Sequence, residues 1–376
     1  FIQASYSDKN TLIKAVSFGG AERTYQAWYG LDPQQLEEDR RQNPYTYENE
    51  VDDYKQNHYQ LHWNERLNNH WSTNLGLNYT KGAGFFEQYK AEEDAADFNN
   101  LIEDGSDVIV RRWLDNNFYV LNFNANYKTE KLNIISGVSY SNYTGDHFGE
   151  VIWGSNLSNG TSIQDRYYFS DAKKIDVSIF SKTTYKITEK VSAYLDLQGR
   201  FVSYQTKGLT SDRNPIDVAT NFNFFNPKAG FMYKIADENS LYLSYARANR
   251  EANRNDFENG ISSPEVLDDI EFGWRYKNDR IHLNTNIYYM NYKNQLVLTG
   301  AIDDVGAPIR ATSGKSYRLG LEIDANLIVS DQFSIKSNAA FSTNKNQDFT
   351  APINGNLINL GNTPLSFSPN IIVGNM

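Results

Sequence analysis

Hydrophobic residues fall at every other position through most of this chain, in one segment after another. Ile281-His282-Leu283-Asn284-Thr285-Asn286-Ile287 and Leu319-Gly320-Leu321-Glu322-Ile323-Asp324-Ala325-Asn326-Leu327 are examples. In extended backbone the side chains at i and i+2 share a face, so each segment carries one apolar face and one mostly polar face. About fourteen such strands and the start of another follow in sequence with no clear helix between them. This pattern predicts an all-β fold, a transmembrane antiparallel β-barrel with lipid on the apolar face and a wet interior on the other. Strand length separates it from a soluble sandwich, whose strands are typically about five or six residues. Here several runs, such as Val191 to Phe201, are longer.

Composition is consistent with this reading. No stretch approaches the roughly 20 apolar residues of a membrane-spanning helix, but a barrel strand needs only about 9–11, half of which can be polar. Mean hydropathy is −0.63. The chain holds 26 Tyr, 21 Phe and 6 Trp, and the amphipathic rings of Tyr and Trp suit a bilayer boundary. A net charge of −10 argues against a nucleic-acid partner. The absence of Cys excludes a disulfide framework and Cys-ligated metal sites. Both ends fall in strand-like sequence, so residues 1–376 are expected to be an interior part of a larger protein.

Seven short polar turns punctuate the strands, at 8–10, 68–70, 129–131, 188–190, 236–239, 278–280 and 330–332. Long polar connections are expected at 19–55, 90–110, 145–172, 208–221, 249–264, 300–315 and 346–363. Tight turns at one end and long loops at the other match outer-membrane barrels, with short periplasmic turns and long extracellular loops. Short helices are expected within the loops at 33–41 and 90–98.

Alternation also assigns faces. A charge facing lipid near the midplane costs about 2–4 kcal/mol, so Asp196, Arg200, Glu322, Asp324 and Lys336 are expected to face the lumen. The turn at 330–332 predicts a register placing Asp324 opposite Lys336 as an ion pair.

No catalytic constellation is present. His58 and His62 sit in alternating sequence, which sets their rings roughly 13 Å apart and unable to share a metal ion. The acidic run 101–107 lacks the ligand spacing of a calcium loop. No metal or cofactor is called for, and an enzyme is not expected. Binding chemistry concentrates in the loops. Tyr25, Trp28 and Tyr29 combine rings with amides, His147, Trp153, Arg166 and Tyr167 mix rings and charge, and Arg250 and Arg254 follow a strand. Aromatic faces with Arg forks suit a large polar ligand such as an anionic chelate or glycan. The same rings also suit a structural girdle, and the same arginines suit pairing with loop carboxylates.

Four stretches carry a resemblance. They are Tyr245-Ala246-Arg247-Ala248-Asn249-Arg250 with the Arg-bearing loop after it, Pro264-Glu265 leading to Glu271-Phe272-Gly273, Tyr292-Lys293-Asn294-Gln295, and Gly320-Leu321-Glu322. In this order the chain resembles the barrel of TonB-dependent outer-membrane receptors, most clearly from about 240 to 345. The resemblance implies that these 14–15 strands belong to a 22-stranded barrel. It also implies an N-terminal plug domain and final strands outside this chain. Ligand would be captured between loops and plug, and the TonB complex would supply the drive. The implied function is active import across the outer membrane of a Gram-negative bacterium, with a ferric siderophore or similar iron complex as cargo, or else a vitamin or glycan. The expected partners are the plug, the TonB complex, the extracellular ligand and outer-membrane lipid. An unplugged porin-like channel and a non-transport surface adhesin are the alternatives.

Overall fold

The computed structural model describes all residues except 28, 29, 44, 303–307, 348, 354, 355 and 376. The strands in chain order are β1 (Ile2–Ser7), β2 (Thr11–Tyr25), β3 (Val51–Arg66), β4 (Trp71–Glu93), β5 (Ser106–Lys128), β6 (Leu132–Gly154), β7 (Arg166–Lys186), β8 (Val191–Leu209), β9 (Pro215–Phe225) and β10 (Lys228–Lys234). They continue with β11 (Asn239–Arg250), β12 (Glu265–Lys277), β13 (Ile281–Lys293), β14 (Leu296–Ile302), β15 (Pro308–Thr312), β16 (Lys315–Ser330), β17 (Phe333–Asn346), β18 (Phe349–Ile353), β19 (Asn356–Gly361) and β20 (Ile371–Asn375). Two short helices, α1 (Pro33–Glu38) and α2 (Arg254–Glu258), lie in long connections.

Sixteen strands form one antiparallel up-and-down sheet, with β1 and β20 at its edges. β9 and β10 are two halves of one strand, because both pair with β8 in continuous register, Phe225 opposite Gly199 and Lys228 opposite Asp196. The break falls at Pro227, which has no N–H to give the ladder. Counted this way the wall has fifteen crossings. Beyond the break β9 no longer pairs with β11, and the last link is Arg247 N–H to the Pro227 carbonyl at 3.0 Å. The small hairpins β14–β15 and β18–β19 stand apart from the sheet, within two of the long connections.

All seven short turns fall where expected, and their chemistry recurs. Asp8 Oδ1 accepts from the N–H groups of Asn10 and Thr11 at 2.8 and 2.9 Å. Asn68 does the same for His70 and Trp71, and Asn278 for Arg280 and Ile281. Thr129 and Thr188 use their hydroxyls in the same way. A short polar side chain thus satisfies main-chain donors that the reversal leaves unpaired.

The outward face is apolar and uncovered. One row runs across neighbouring strands through Phe231, Leu243, Phe272, Ile287, Leu321, Phe341 and Ile371. Apart from Leu321, each of these residues is between 45% and 64% exposed. Aromatic pairs bound this band on β4 and its neighbours. Trp71 packs on Tyr127 at the short-turn end, and Tyr59, Tyr79 and Tyr119 stack in sequence eight residues further up. Eight residues along a strand tilted by about 40° rise roughly 20 Å, close to the height of the apolar band of a membrane barrel.

Glycines on the opposite face make room for tyrosines. A Cβ at Gly273 or Gly320 would collide with the ring of Tyr242 or Tyr288 on the adjacent strand. Tyr242 is thereby held flat, with its hydroxyl 3.0 Å from Asn286 Oδ1.

Three expectations are corrected. The loops expected at 145–172 and 208–221 are mostly strand, and strand shortens 90–110 at both ends: β4, β5 and β6 reach 23 residues each and project far beyond the Tyr59–Tyr79–Tyr119 level. Above the bilayer no lipid demands an apolar row, and burial is set by packing on loop residues such as Phe98 and Ile102, so the lipid-facing alternation fades although pairing continues. Residues 33–38 are helical as expected, but 90–93 close β4 and only 95–98 form a 3-10 turn. Finally, Asp324 lies opposite Asn338 and Lys336 opposite Asn326. The two-residue offset keeps their parity but removes the direct pairing, and no ion pair joins them among the described residues. Residues 1–376 hold no Cys, so oxidative cross-linking of introduced cysteine pairs can check this register. Asp324→Cys with Asn338→Cys is expected to cross-link much faster than Asp324→Cys with Lys336→Cys. On the outer face, Ile287→Lys is expected to destabilise the barrel by about 2–4 kcal/mol in liposome unfolding, and Asn286→Lys on the inner face by distinctly less.

Candidate ligand-capture site above the lumen

The segment 251–264, between β11 and β12, turns inward over the lumen instead of outward into solvent. Asn253 caps α2: its side chain accepts from Asp256 N–H at 3.0 Å, and Asp256 Oδ2 accepts from Asn253 N–H at 2.9 Å. Asp256 is almost fully buried and also takes Arg310 at 2.9 Å, tying this segment to β15.

Ion pairs anchor the segment to the wall. Glu251 is bound by Lys174 at 2.5 Å and by two nitrogens of Arg200 at 2.7 and 2.8 Å. Arg200 in turn holds Asp176 at 2.6 Å. Burial opposes ionisation of Glu251, but hydrogen bonds from Arg200 and Lys174 overcome it and bring its pKa down to about 2. An apolar contact adds to these bonds. Phe257 stacks on Tyr204 at 5.3 Å, beside Val202, Phe222 and Phe224.

Arg254 stands at the centre of this arrangement. Its guanidinium donates to Glu258 at 2.7 Å, Thr206 Oγ1 at 3.1 Å and Ser170 Oγ at 2.9 Å. Ser170 lies directly opposite His147 on β6, and both stand on the lumen face, five residues past the level of Tyr119 and its partner Asn142. His147 is therefore clear of the bilayer. Burial first, and the Arg254 charge second, push its pKa down to about 4, so its ring is neutral at pH 7. Burial also raises the carboxyl of Glu258, the carboxylate that pairs with Arg254, and so disfavours its charged form.

The expected binding residues do not converge on one place. His147 and Arg254 come together. Arg250 stays at the rim on Glu265 at 3.3 Å. Tyr25 ends β2 and donates to the Tyr45 carbonyl at 2.7 Å. Trp28 and Tyr29 lie outside the described residues. His147, Trp153, Arg166 and Tyr167 sit on strands rather than in loops, a correction that follows from the long strand extensions. Trp153 is exposed, and Arg166 lies 3.9 Å above the Phe148 ring on the outer face. Tyr167 is buried in a core with Phe98, Ile102, Val108, Val110 and Val151. Of the lumen candidates, Arg200 takes part in the anchor, while Glu322 and Asp324 line a separate hollow of about 650 Å³ with Tyr242 and Arg275. Lys174, Asp176, Tyr204, Glu251 and Phe257 join the site through contacts between residues distant in sequence. Only the capping pair Asn253-x-x-Asp256 carried a local signal, that of a helix start.

The model of the family described as TonB dependent receptor-like, beta-barrel, matches residues 4–373. The chain belongs to this family. No curated relative matches it. Among solved structures it is similar to the siderophore receptor PiuA from Acinetobacter baumannii, with TM-score 0.65 and 14% identity over 97% of this chain and 59% of that one. It is also similar to the ferric citrate transporter FecA, with TM-score 0.68 and 14% identity over 98% of this chain and 53% of that one. The copper transporter OprC gives TM-score 0.69 and 12% identity over 92% and 52%. The chain thus spans a little over half the length of these structures, and at such identities the likeness concerns the fold.

Docking of 251–264 is expected to weaken with acid. The native pKa of His147 lies below its ordinary 6.5, so an undocked state takes up a proton that the docked state refuses as pH falls from 6.5 toward 4. The depressed Glu251 carboxyl adds a second loss as pH falls from 4.5 toward 2. Hydrogen-exchange protection factors across 251–264 should drop over both windows. Glu251→Gln should lower protection at pH 7 by about 3 kcal/mol, the low end for a buried pair because Lys174 remains 35% exposed. Unchanged protection in that variant would remove the anchoring role.

Proposed function

We propose that this chain forms the wall and outer rim of an outer-membrane importer that works with a plug domain and the TonB complex to take up a scarce nutrient. An anionic iron chelate is the cargo best matched to the rim. The supporting observation is Arg254, a guanidinium carried inward on α2 and held against Ser170, Thr206 and Glu258 above neutral His147. A carboxylate or catecholate oxygen of an arriving ligand can replace Glu258 at the fork, because burial already disfavours that carboxylate. Tyr204 and Phe257 offer ring faces alongside. Ligand exchange at Arg254 would loosen α2 without disturbing the Glu251 anchor.

Family membership supports the plug and energy coupling, and the likeness to the siderophore receptor PiuA and the ferric citrate transporter FecA supports an iron cargo. OprC transports copper on the same fold, so the cargo has to be argued from the rim residues and not from the architecture.

The test is uptake of ⁵⁵Fe-loaded siderophores by a deletion strain carrying the full-length protein, with and without a protonophore. Uptake is expected to require both the protein and the proton gradient. Arg254→Gln is expected to lower apparent affinity by about tenfold or more, the loss of one charge-assisted hydrogen-bonding fork. Uptake that persists after collapse of the gradient would mean a diffusion channel. No change in uptake of any nutrient on deletion would mean a surface protein without a transport role.

A further inference from the structure

Three lysines on adjacent strands gather on the outer face of the wall, away from the lumen. Lys293 on β13 lies directly opposite Lys315 on β16. Lys345 on β17 lies opposite Tyr317, one step diagonal from Lys315. Like charges in direct cross-strand register destabilise a sheet unless something neutralises them. Here no ion pair reaches any of the three among the described residues. The neighbouring carboxylate, Asp268, is already engaged by Arg247 at 2.7 and 2.9 Å and by the Tyr245 hydroxyl at 2.7 Å. Elsewhere on the same outer rim, Lys81 meets Asp115 and Arg111 meets Glu87.

Two of the lysines, Lys293 and Lys315, also border a recess. A hollow of about 500 Å³ is lined by Arg247, Asn249, Asp268, Asn291, Lys293 and Lys315. Its amides can meet sugar hydroxyls, and its free ammonium groups suit phosphate. Height sets the source of the ligand. Lys293 lies four residues beyond Tyr289, which packs near Tyr317 at 6.2 Å in the upper aromatic row. Four residues along a strand tilted by about 40° rise roughly 10 Å, the level of the headgroups outside the apolar band.

We propose that Lys293, Lys315 and Lys345 bind the phosphorylated sugar headgroup of an outer-leaflet glycolipid. This rests on the outer-membrane placement and is independent of the nutrient. Native mass spectrometry of the full-length protein in detergent tests it, with diphosphoryl lipid A as probe and its dephosphorylated form as comparison. The phosphorylated lipid should bind at least tenfold more tightly to the unaltered protein. The triple variant Lys293→Gln, Lys315→Gln, Lys345→Gln should lose that preference, while Lys55→Gln with Lys173→Gln, on other outer strands, should retain it. Iron uptake by the triple variant should stay unchanged, which separates this site from the importer reading. Equal binding of the two lipids by the unaltered protein would overturn the proposal. So would displacement of the lipid by equimolar inorganic phosphate, the mark of a free-anion site.

Discussion

Lipid offers no hydrogen bonds, so every peptide group in the apolar band must find its partner in the neighbouring strand. The rest of the wall follows from this requirement. It fixes an uninterrupted ladder from β2 to β8 and demands reversals that leave few main-chain donors unpaired. The Asp, Asn and Thr turns satisfy this locally, which is why the same contact recurs at Asp8, Asn68, Thr129, Thr188 and Asn278. With the backbone settled, side chains sort by parity into lipid-facing and lumen-facing rows. The Phe231–Ile371 row is left bare of protein because its solvent is hydrocarbon.

The inner face has the opposite requirement. Charges there must be neutralised in a confined space, and the wall does so with groups distant in sequence. Lys174, Asp176 and Arg200 come from two adjacent strands and Glu251 from a third region, yet they form one alternating network. Arg200 would repel Lys174 without Glu251 between them. The carboxylate therefore makes the docked position of α2 electrostatically necessary for the wall as well as favourable for the segment.

The wall was legible in the sequence because it obeys local rules. Turn positions, the alternation of Val191 to Phe201 and the Pro33 helix start all depend on near neighbours. Three features depended on something else. The strand extensions carrying His147 and Tyr167 lie beyond the lipid, where packing on distant segments such as Phe98, Ile102 and Arg254 decides which face is buried, so a lipid-facing row no longer marks them. The two-residue slip at Asp324 arose because parity fixes the face of a residue and leaves its partner open to shifts of two. The site at Arg254 depends on contacts with Ser170 and Thr206, which are 84 and 48 positions away. Arginine clustering pointed to the region, but Arg250 and Arg254 end with different partners because α2 turns one inward and leaves the other at the rim.

Pro227 divides the wall in a further way. Below it, β10 is laddered on both sides; above it, among the described residues, no ladder joins β9 to the last residues of β11, and a side-chain link from Asn249 to Asn226 at 2.7 Å lies at the break. The barrel thus carries a partial seam, an unzipped stretch between two stiff panels, immediately beside the inward segment. Along that seam the panels can slide or spread without breaking any peptide hydrogen bond. A rise in pressure on α2 from a bulky guest would therefore be relieved sideways, by gaping of the rim, before any strand had to leave the sheet.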